Sequence, residues 1–305
     1  MSARRVIAVD LGGTNWRIAQ YDETGKCLAK TRIRAVAEKD PEAGLAQLAD
    51  AIVVFIEEQK GAPPPQAVGV GSPGPISVDR SVVMEAPNLP TWHHVPVRTI
   101  LETLLGLPVR LENDANLAAL GEFSFGAGRD ADSLLMVTLG TGIGGGFVSG
   151  GRLWTGAHGA AMEIGHTYVG GDVRCGCGAV GCIEEYASGP GIARLYAERT
   201  GQSIDSYAIF EKREAGEADA VHVIETASRI LGMGLVSWQK ILDPEQIVVS
   251  GGLSAQWKAF VEPAIVVANE NDFESWRGRI RVTRALLGGD AGIAGAALLA
   301  LDTSA

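Results

Sequence analysis

The sequence contains no run of eighteen apolar residues, so no segment of it reads as a bilayer-spanning helix. Positive charge is also scarce: 26 Lys and Arg stand against 36 Asp and Glu, a net charge of -10. That balance opposes nucleic acid as a partner, because binding it depends on cations displacing the counterions around its phosphates. Neither nucleic acid nor membrane is expected to bind. MSARRVIAVDLGG enters a strand at once, without the apolar core or cleavage site of a signal peptide, so a cytoplasmic protein is expected. No G-x-x-x-x-G-K-[ST] occurs, which excludes a Walker-type phosphate loop. Cysteine is sparse, four residues in 305, and three of the four fall between 175 and 182. In a reducing compartment such a cluster suits a metal better than disulfides.

What is abundant is glycine, 40 residues of 305, with no collagen-like period to account for it. Tight turns and close backbone approaches are its remaining use. The pattern RRVIAVDLGGTNWRIAQYD predicts strand, glycine turn, strand, with CLAKTRIRAV as a third strand. PEAGLAQLADAIVVFIEEQK has helical spacing behind Pro41, AVGVG reads as a buried strand, and PVRLEND runs from a strand into the helix former ANLAALGEF. From Ser133 the pattern repeats: SLLMVTLGTGIGGGFVSGGRLW is again strand, glycine turn, strand, followed by QIVVSGG, RIRVTRA and the helical AGIAGAALLAL. Two similar α/β halves are implied.

The turn DLGGTN places Asp10, Gly12, Gly13, Thr14 and Asn15 between two strands. Freed amides in such a turn approach phosphate oxygens, Thr14 adds a hydroxyl, and Asp10 suits a magnesium ion; an ordinary hairpin is the alternative. A second turn at 138–146, with Thr138, Gly140, Thr141 and Gly142, makes two independent hairpins a poor account and points to a nucleotide held by duplicated halves. Gly140, Gly142 and Gly145 also satisfy G-x-G-x-x-G, but β-like GFVSGGRLW follows where a dinucleotide fold needs a helix. Gly251 and Gly252, after the strand IVVS, suit the flat face of adenine or ribose, or a plain turn.

Asp114 stands where a strand gives way to a helix, flanked by Asn113 and Asn116. It is either a helix cap or a general base, and beside two phosphate turns the second role leads: transfer of a phosphoryl group to an alcohol needs a carboxylate to take the hydroxyl proton. His166, Cys175, Cys177 and Cys182 supply an imidazole and three thiolates, a closed tetrahedral set for a structural Zn²⁺. The C-x-C-x4-C spacing lacks the C-x-x-C of disulfide exchange, although a merely reduced set of thiols stays open. A loop pinned by zinc would hold Glu163 and Glu184 in fixed directions toward sugar hydroxyls, with His166 donating from its second ring nitrogen and Glu185 left as a solvated neighbour. His93 and His94 are read as surface or core-packing residues, His158 as a loop residue and Cys27 as a small buried one.

DLGGTN, PGP, END, EIGH and CGCGAVGCIE, in that order and over essentially the whole chain, resemble the sugar kinases of the ROK family, its glucokinases above all. The resemblance implies a duplicated actin-like, ribonuclease-H-like ATPase fold of two lobes with a cleft and a zinc-binding loop. The lobes would be 1–116, with a helix at about 291–305 packing back on it, and 117–290, carrying the zinc loop 163–185. It implies ATP-dependent phosphorylation of glucose to glucose 6-phosphate with ATP, Mg²⁺ and structural Zn²⁺, in a homodimer. By similarity Asp114 is the catalytic base; Asn88, Asn113, Glu163, His166 and Glu184 meet the sugar; and Gly12, Gly13, Thr14, Thr138, Gly140, Thr141 and Gly251 meet the nucleotide. Two departures stand out: Asn15 follows Thr14 where the family commonly has lysine, and Met162 replaces a frequent glycine before Glu163. Mannose, fructose, N-acetylglucosamine or N-acetylmannosamine as acceptor and polyphosphate as donor remain alternatives. A sugar-sensing regulator is a distant one, since only nine residues precede Asp10 and no helix-turn-helix fits there.

Overall fold

The computed structural model describes residues 4–35, 40–86, 89 and 91–302. In chain order the elements begin with β1 (Arg5–Leu11), β2 (Asn15–Asp22), β3 (Cys27–Arg34), α1 (Pro41–Glu58), β4 (Val68–Ser72), β5 (Val83–Glu85) and β6 (His93–Val95). Then come α2 (Val97–Leu105), β7 (Val109–Asn113), α3 (Asp114–Phe125), β8 (Ser133–Leu139), β9 (Ile143–Ser149) and β10 (Arg152–Leu153). The remainder is α4 (Glu184–Ala187), α5 (Gly189–Thr200), α6 (Ser206–Glu214), α7 (Ala218–Leu242), β11 (Gln246–Ser250), α8 (Glu262–Glu270), β12 (Val282–Arg284) and α9 (Ala291–Leu301). Among the described residues no helix is long and apolar enough to cross a membrane.

Two five-stranded mixed sheets share one plan. Their orders are β3-β2-β1-β4-β7 and β10-β9-β8-β11-β12. In the first, β1 to β3 run antiparallel and β4 and β7 join in parallel; in the second, β8, β11 and β12 are the parallel members. The repeat expected from the two strand, turn, strand patterns is present, and a strand, not a helix, follows Gly142. Backbone contacts divide the chain into two compact units, Met1–Gly126 with Gly146–Ala161 and Gly289–Ala305, and Ala127–Gly145 with Met162–Gly288.

In the first unit the sheet is covered on both faces. Alternation along β1 sends Ile7, Val9 and Leu11 to one side, where Trp16, Leu45, Leu48, Ile52 and Leu101 complete a core under α1 and α2. Val6 and Ala8 face the other way, with Ala19, Tyr21 and Leu117, against Ile293, Ala296, Ala297 and Ala300 of α9. That helix is Ala- and Gly-rich because its backbone runs very close to its neighbours. A methyl group on Gly295 would lie 1.9 Å from the Leu117 carbonyl oxygen of α3, one on Gly121 of α3 would lie 2.2 Å from that of Ala291, and one on Gly69 of β4 would lie 1.9 Å from that of Ala296.

Local signals account for the ends of the main elements. Asp40 caps α1 by accepting from the amides of Glu42 and Ala43, with Pro41 in the first turn, and Gly106 closes α2 at φ 64°. Ser188 and Asp205 cap α5 and α6 in the same way. Cys27 is not the buried residue its type suggests. It is exposed, because it opens β3 at the edge of the sheet, where its thiol meets the Ala29 carbonyl at 3.6 Å and hydrogen-bonds with the Tyr21 side chain.

Candidate functional site

In the first unit, the register of the β1–β2 hairpin sets Asp10 directly opposite Arg17. The guanidinium donates from Nε and Nη2 to Asp10 Oδ2 at 2.8 and 2.5 Å, and from Nη1 to the Gly289 carbonyl ahead of α9. Arg17 thus puts a cation at the first glycine turn, two positions beyond the place where lysine is missing. The turn itself is closed by the Gly12 amide donating to the Asn15 carbonyl at 3.2 Å, and Thr14 and Asn15 are exposed. Asp10 Oδ1 points where Gly71 and Gly292 carry no side chain; a methyl group at these positions would sit 3.9 and 3.8 Å from it.

Asp114 is the first residue of α3, and its Oδ1 accepts from the Ala115 amide at 2.8 Å. Asn113, not Asp114, is the helix cap: its Oδ1 accepts from the Ala115 and Asn116 amides at 2.9 and 3.2 Å, and its Nδ2 donates to the Gly74 carbonyl of the PGP loop at 3.0 Å. The same position on Gly292 that approaches Asp10 lies 3.9 Å from the Asp114 main-chain carbonyl, so the first glycine turn and the junction converge on one glycine of α9. Gly146 of β9 rests against Ala115 and Asn116, where a methyl group would meet backbone at 2.7 Å. Asn88 lies outside the described residues.

The second unit gathers the remaining candidates. Thr138 Oγ1 accepts from the Gly144 amide at 3.1 Å and so spans the second glycine turn, while Thr141 at its tip is exposed. Glu184 is tied to this turn, its Oε2 accepting from the Ile143 amide at 2.7 Å; a methyl group on Gly142 would fall 2.5 Å from the same oxygen. Gly251, at φ 86°, brings its backbone onto Leu139, and Gly252 lies under the hydroxyl of Tyr207. Tyr207 is half exposed and lies in no motif; its place at the start of α6 makes it a neighbour of the turn.

His166 Nδ1 lies 3.5 Å from Cys175 Sγ, and Cys177 Sγ lies 3.7 Å from Cys182 Sγ. All four ligand atoms are within 4.8 Å of one another. Thiolates at about 2.3 Å from a tetrahedral ion stand roughly 3.8 Å apart, so the donor set can hold one metal ion. Burial pushes the Cys175 thiol up to about 12, whereas the Ala179 backbone amide pulls the exposed Cys177 thiol down. Glu163 is reached by solvent, yet the protein packed around it raises its pKa; His166 pulls the other way and the charge of Glu184 adds to the rise. Met162, just before it, is at φ 68°, a left-handed conformation that favours glycine. Glu185 is half-buried, not solvated.

The ROK family model matches residues 6–303. A glucokinase from Thermotoga maritima is 34% identical over 312 residues, covering 97% of both chains. Among solved structures, a ROK hexokinase from Thermus thermophilus superposes with a TM-score of 0.85 at 34% identity over 97% of each chain. A ROK family glucokinase from Streptomyces griseus, in complex with glucose and AMPPNP, does so with a TM-score of 0.77 at 34% identity, over 97% of this chain and 99% of that one.

Proposed function

This chain belongs to the ROK family, and from that premise we propose that it is a hexose kinase that phosphorylates glucose with ATP to give glucose 6-phosphate. The observation that carries the reading is the meeting of the Asp10 carboxylate and the Asp114 main chain at Gly292, which brings the first glycine turn and the strand-to-helix junction into one small region. Asp114 takes the proton from the sugar's hydroxymethyl oxygen as that oxygen attacks the terminal phosphorus, and the departing diphosphate carries the displaced electron pair.

The remaining residues bind and orient. Asn113 keeps a second amide hydrogen for a sugar hydroxyl after its bond to Gly74, and Asn88 is assigned to the same sugar. Glu184 keeps Oε1 while Oε2 holds the glycine turn, and Glu163 adds a second carboxylate. Gly12, Gly13, Thr14 and Asn15 with Thr138, Gly140, Thr141 and Gly142 offer amides and hydroxyls to the phosphates, and Gly251 and Gly252 face the nucleoside. Asp10 is the residue for Mg²⁺, which when bound neutralises phosphate charge. His166, Cys175, Cys177 and Cys182 hold a structural Zn²⁺, leaving His166 Nε2–H as a donor to sugar.

The test is a coupled assay over a panel of hexoses and N-acetylhexosamines, each with ATP and with polyphosphate. Glucose with ATP is expected to be the preferred pair. In Asp114→Ala turnover should fall by about 10²–10⁴-fold while calorimetric glucose binding persists. Undiminished turnover in that variant removes Asp114 from the role.

A further inference from the structure

Glu112, next to the end of β7, is 3% exposed and carries a charge that no apolar surrounding tolerates unpaired. Its Oε1 accepts from the Asn113 amide at 2.9 Å and from Asn116 Nδ2 at 3.0 Å, and its Oε2 is engaged by Arg80 Nη1. Arg80 reaches it from a tightly wound loop. Asp79 accepts from the hydroxyls of Ser77 and Ser81 at 2.6 and 2.7 Å, and Ser77 Oγ accepts from the Val82 amide at 2.9 Å. The Arg80 amide closes the turn on the Ser77 carbonyl at 2.8 Å, with Arg80 itself left-handed at φ 57°.

This arrangement is a poor investment if stability is its only purpose. A buried ion pair is commonly no better for folding than well-packed apolar residues, and a non-glycine residue held left-handed costs of order 1–3 kcal/mol. What the pair does touch is informative. Its hydrogen bonds land on Asn113 and Asn116, one on each side of Asp114, and Asn113 in turn caps α3 and ties the junction to Gly74.

We propose that the Arg80–Glu112 ion pair is a positioning device for Asp114, fixing the strand-to-helix junction so that the carboxylate meets the acceptor hydroxyl at a reactive distance. The proposal rests on the reading of Asp114 as general base. Arg80 and Glu112 touch neither substrate; they act through Asn113 and Asn116. A misplacement of about 1 Å at a reacting group is enough to cost on the order of 10²-fold in rate, so loosening the junction lowers kcat without weakening ground-state sugar binding.

The experiment compares wild type with Arg80→Lys, Arg80→Met and the double variant Arg80→Met/Glu112→Gln by steady-state kinetics, glucose calorimetry and thermal unfolding. Arg80→Met is expected to lose about tenfold or more in kcat, with glucose KM within about twofold of wild type, and Arg80→Lys to recover most of the loss. The double variant buries no unpaired charge, so it should melt near wild type yet stay slow. The proposal is overturned if kcat in Arg80→Met is within about twofold of wild type, or if the double variant regains kcat together with stability, which assigns the pair to folding alone. A wild type that phosphorylates no hexose sinks this proposal and the kinase reading together. An active wild type, an inactive Asp114→Ala and an unimpaired Arg80→Met sink this one only.

Discussion

Replacing Gly295 with alanine sets two terms of opposite sign against each other. In an exposed helix interior the change stabilises by about 1 kcal/mol, because alanine restricts the unfolded chain. Here the new methyl group would stand 1.9 Å from the Leu117 carbonyl oxygen, more than an ångström inside the ~3.3 Å at which carbon and oxygen make contact. The obstacle is backbone of α3, not the end of a flexible side chain, so α9 must shift. Overpacking of this kind costs about 1–3 kcal/mol and occasionally more, which exceeds the propensity gain. Gly295→Ala should therefore lose up to about 2 kcal/mol by urea unfolding followed by circular dichroism. Gly121→Ala should behave alike, and the double variant should cost less than the sum, since one displacement of α9 relieves both clashes. Because Gly292 of the same helix lies against Asp10 and Asp114, turnover should fall with stability. A Gly295→Ala protein more stable than wild type would refute the reasoning, since it would mean that α9 is not held at the distance described.

Met162→Gly removes the side chain from a left-handed position and should raise the unfolding free energy or leave it unchanged, whereas Met162→Val, branched at Cβ, should lower it by about 1–2 kcal/mol; equal stabilities would discount the strain. Elemental analysis should find one zinc per chain, and its removal by a chelator, or Cys182→Ser, should lower both the thermal midpoint and turnover; a fully active metal-free protein contradicts the assignment. Asp272, its side chain fully buried against Arg279 Nε at 2.8 Å, has its carboxyl held below the usual range by that hydrogen bond. Its stabilising contribution is present above the unfolded-state pKa of about 3.9 and is lost as pH falls through the lower folded value. The penalty of Asp272→Asn should therefore shrink on acidification from pH 7 to below about 3.9, and a constant penalty would dismiss the linkage.

The duplicated sheets, the helix at α9 and the cysteine cluster were legible because each rests on a local pattern: strand periodicity around a glycine turn, an Ala/Leu-rich run, and thiols within eight residues of one another. What was not legible depends on who faces whom. Cys27 looked like a core residue until β3 proved to be an edge strand. No motif marks Arg17; the hairpin register alone places it opposite Asp10. Glu184 was directed toward sugar by its place in the zinc-pinned loop, but nothing in that loop showed that one of its oxygens is bound to the Ile143 amide 41 residues earlier. Arg80 and Glu112, likewise, are 32 positions apart and share no motif. The substitution at Met162 was visible in the sequence, while its left-handed backbone was not.

The helix that covers Val6, Ala8 and Ala19 arrives nearly three hundred residues after them. A ribosome will have made both sheets before it supplies α9, and until then an apolar face of the first sheet has no lid. Contacts of such long range are slow to form and leave apolar surface open to aggregation in the interval. Expression at low temperature or with chaperones in excess is therefore expected to raise the soluble yield, and truncation before Ala291 to abolish it.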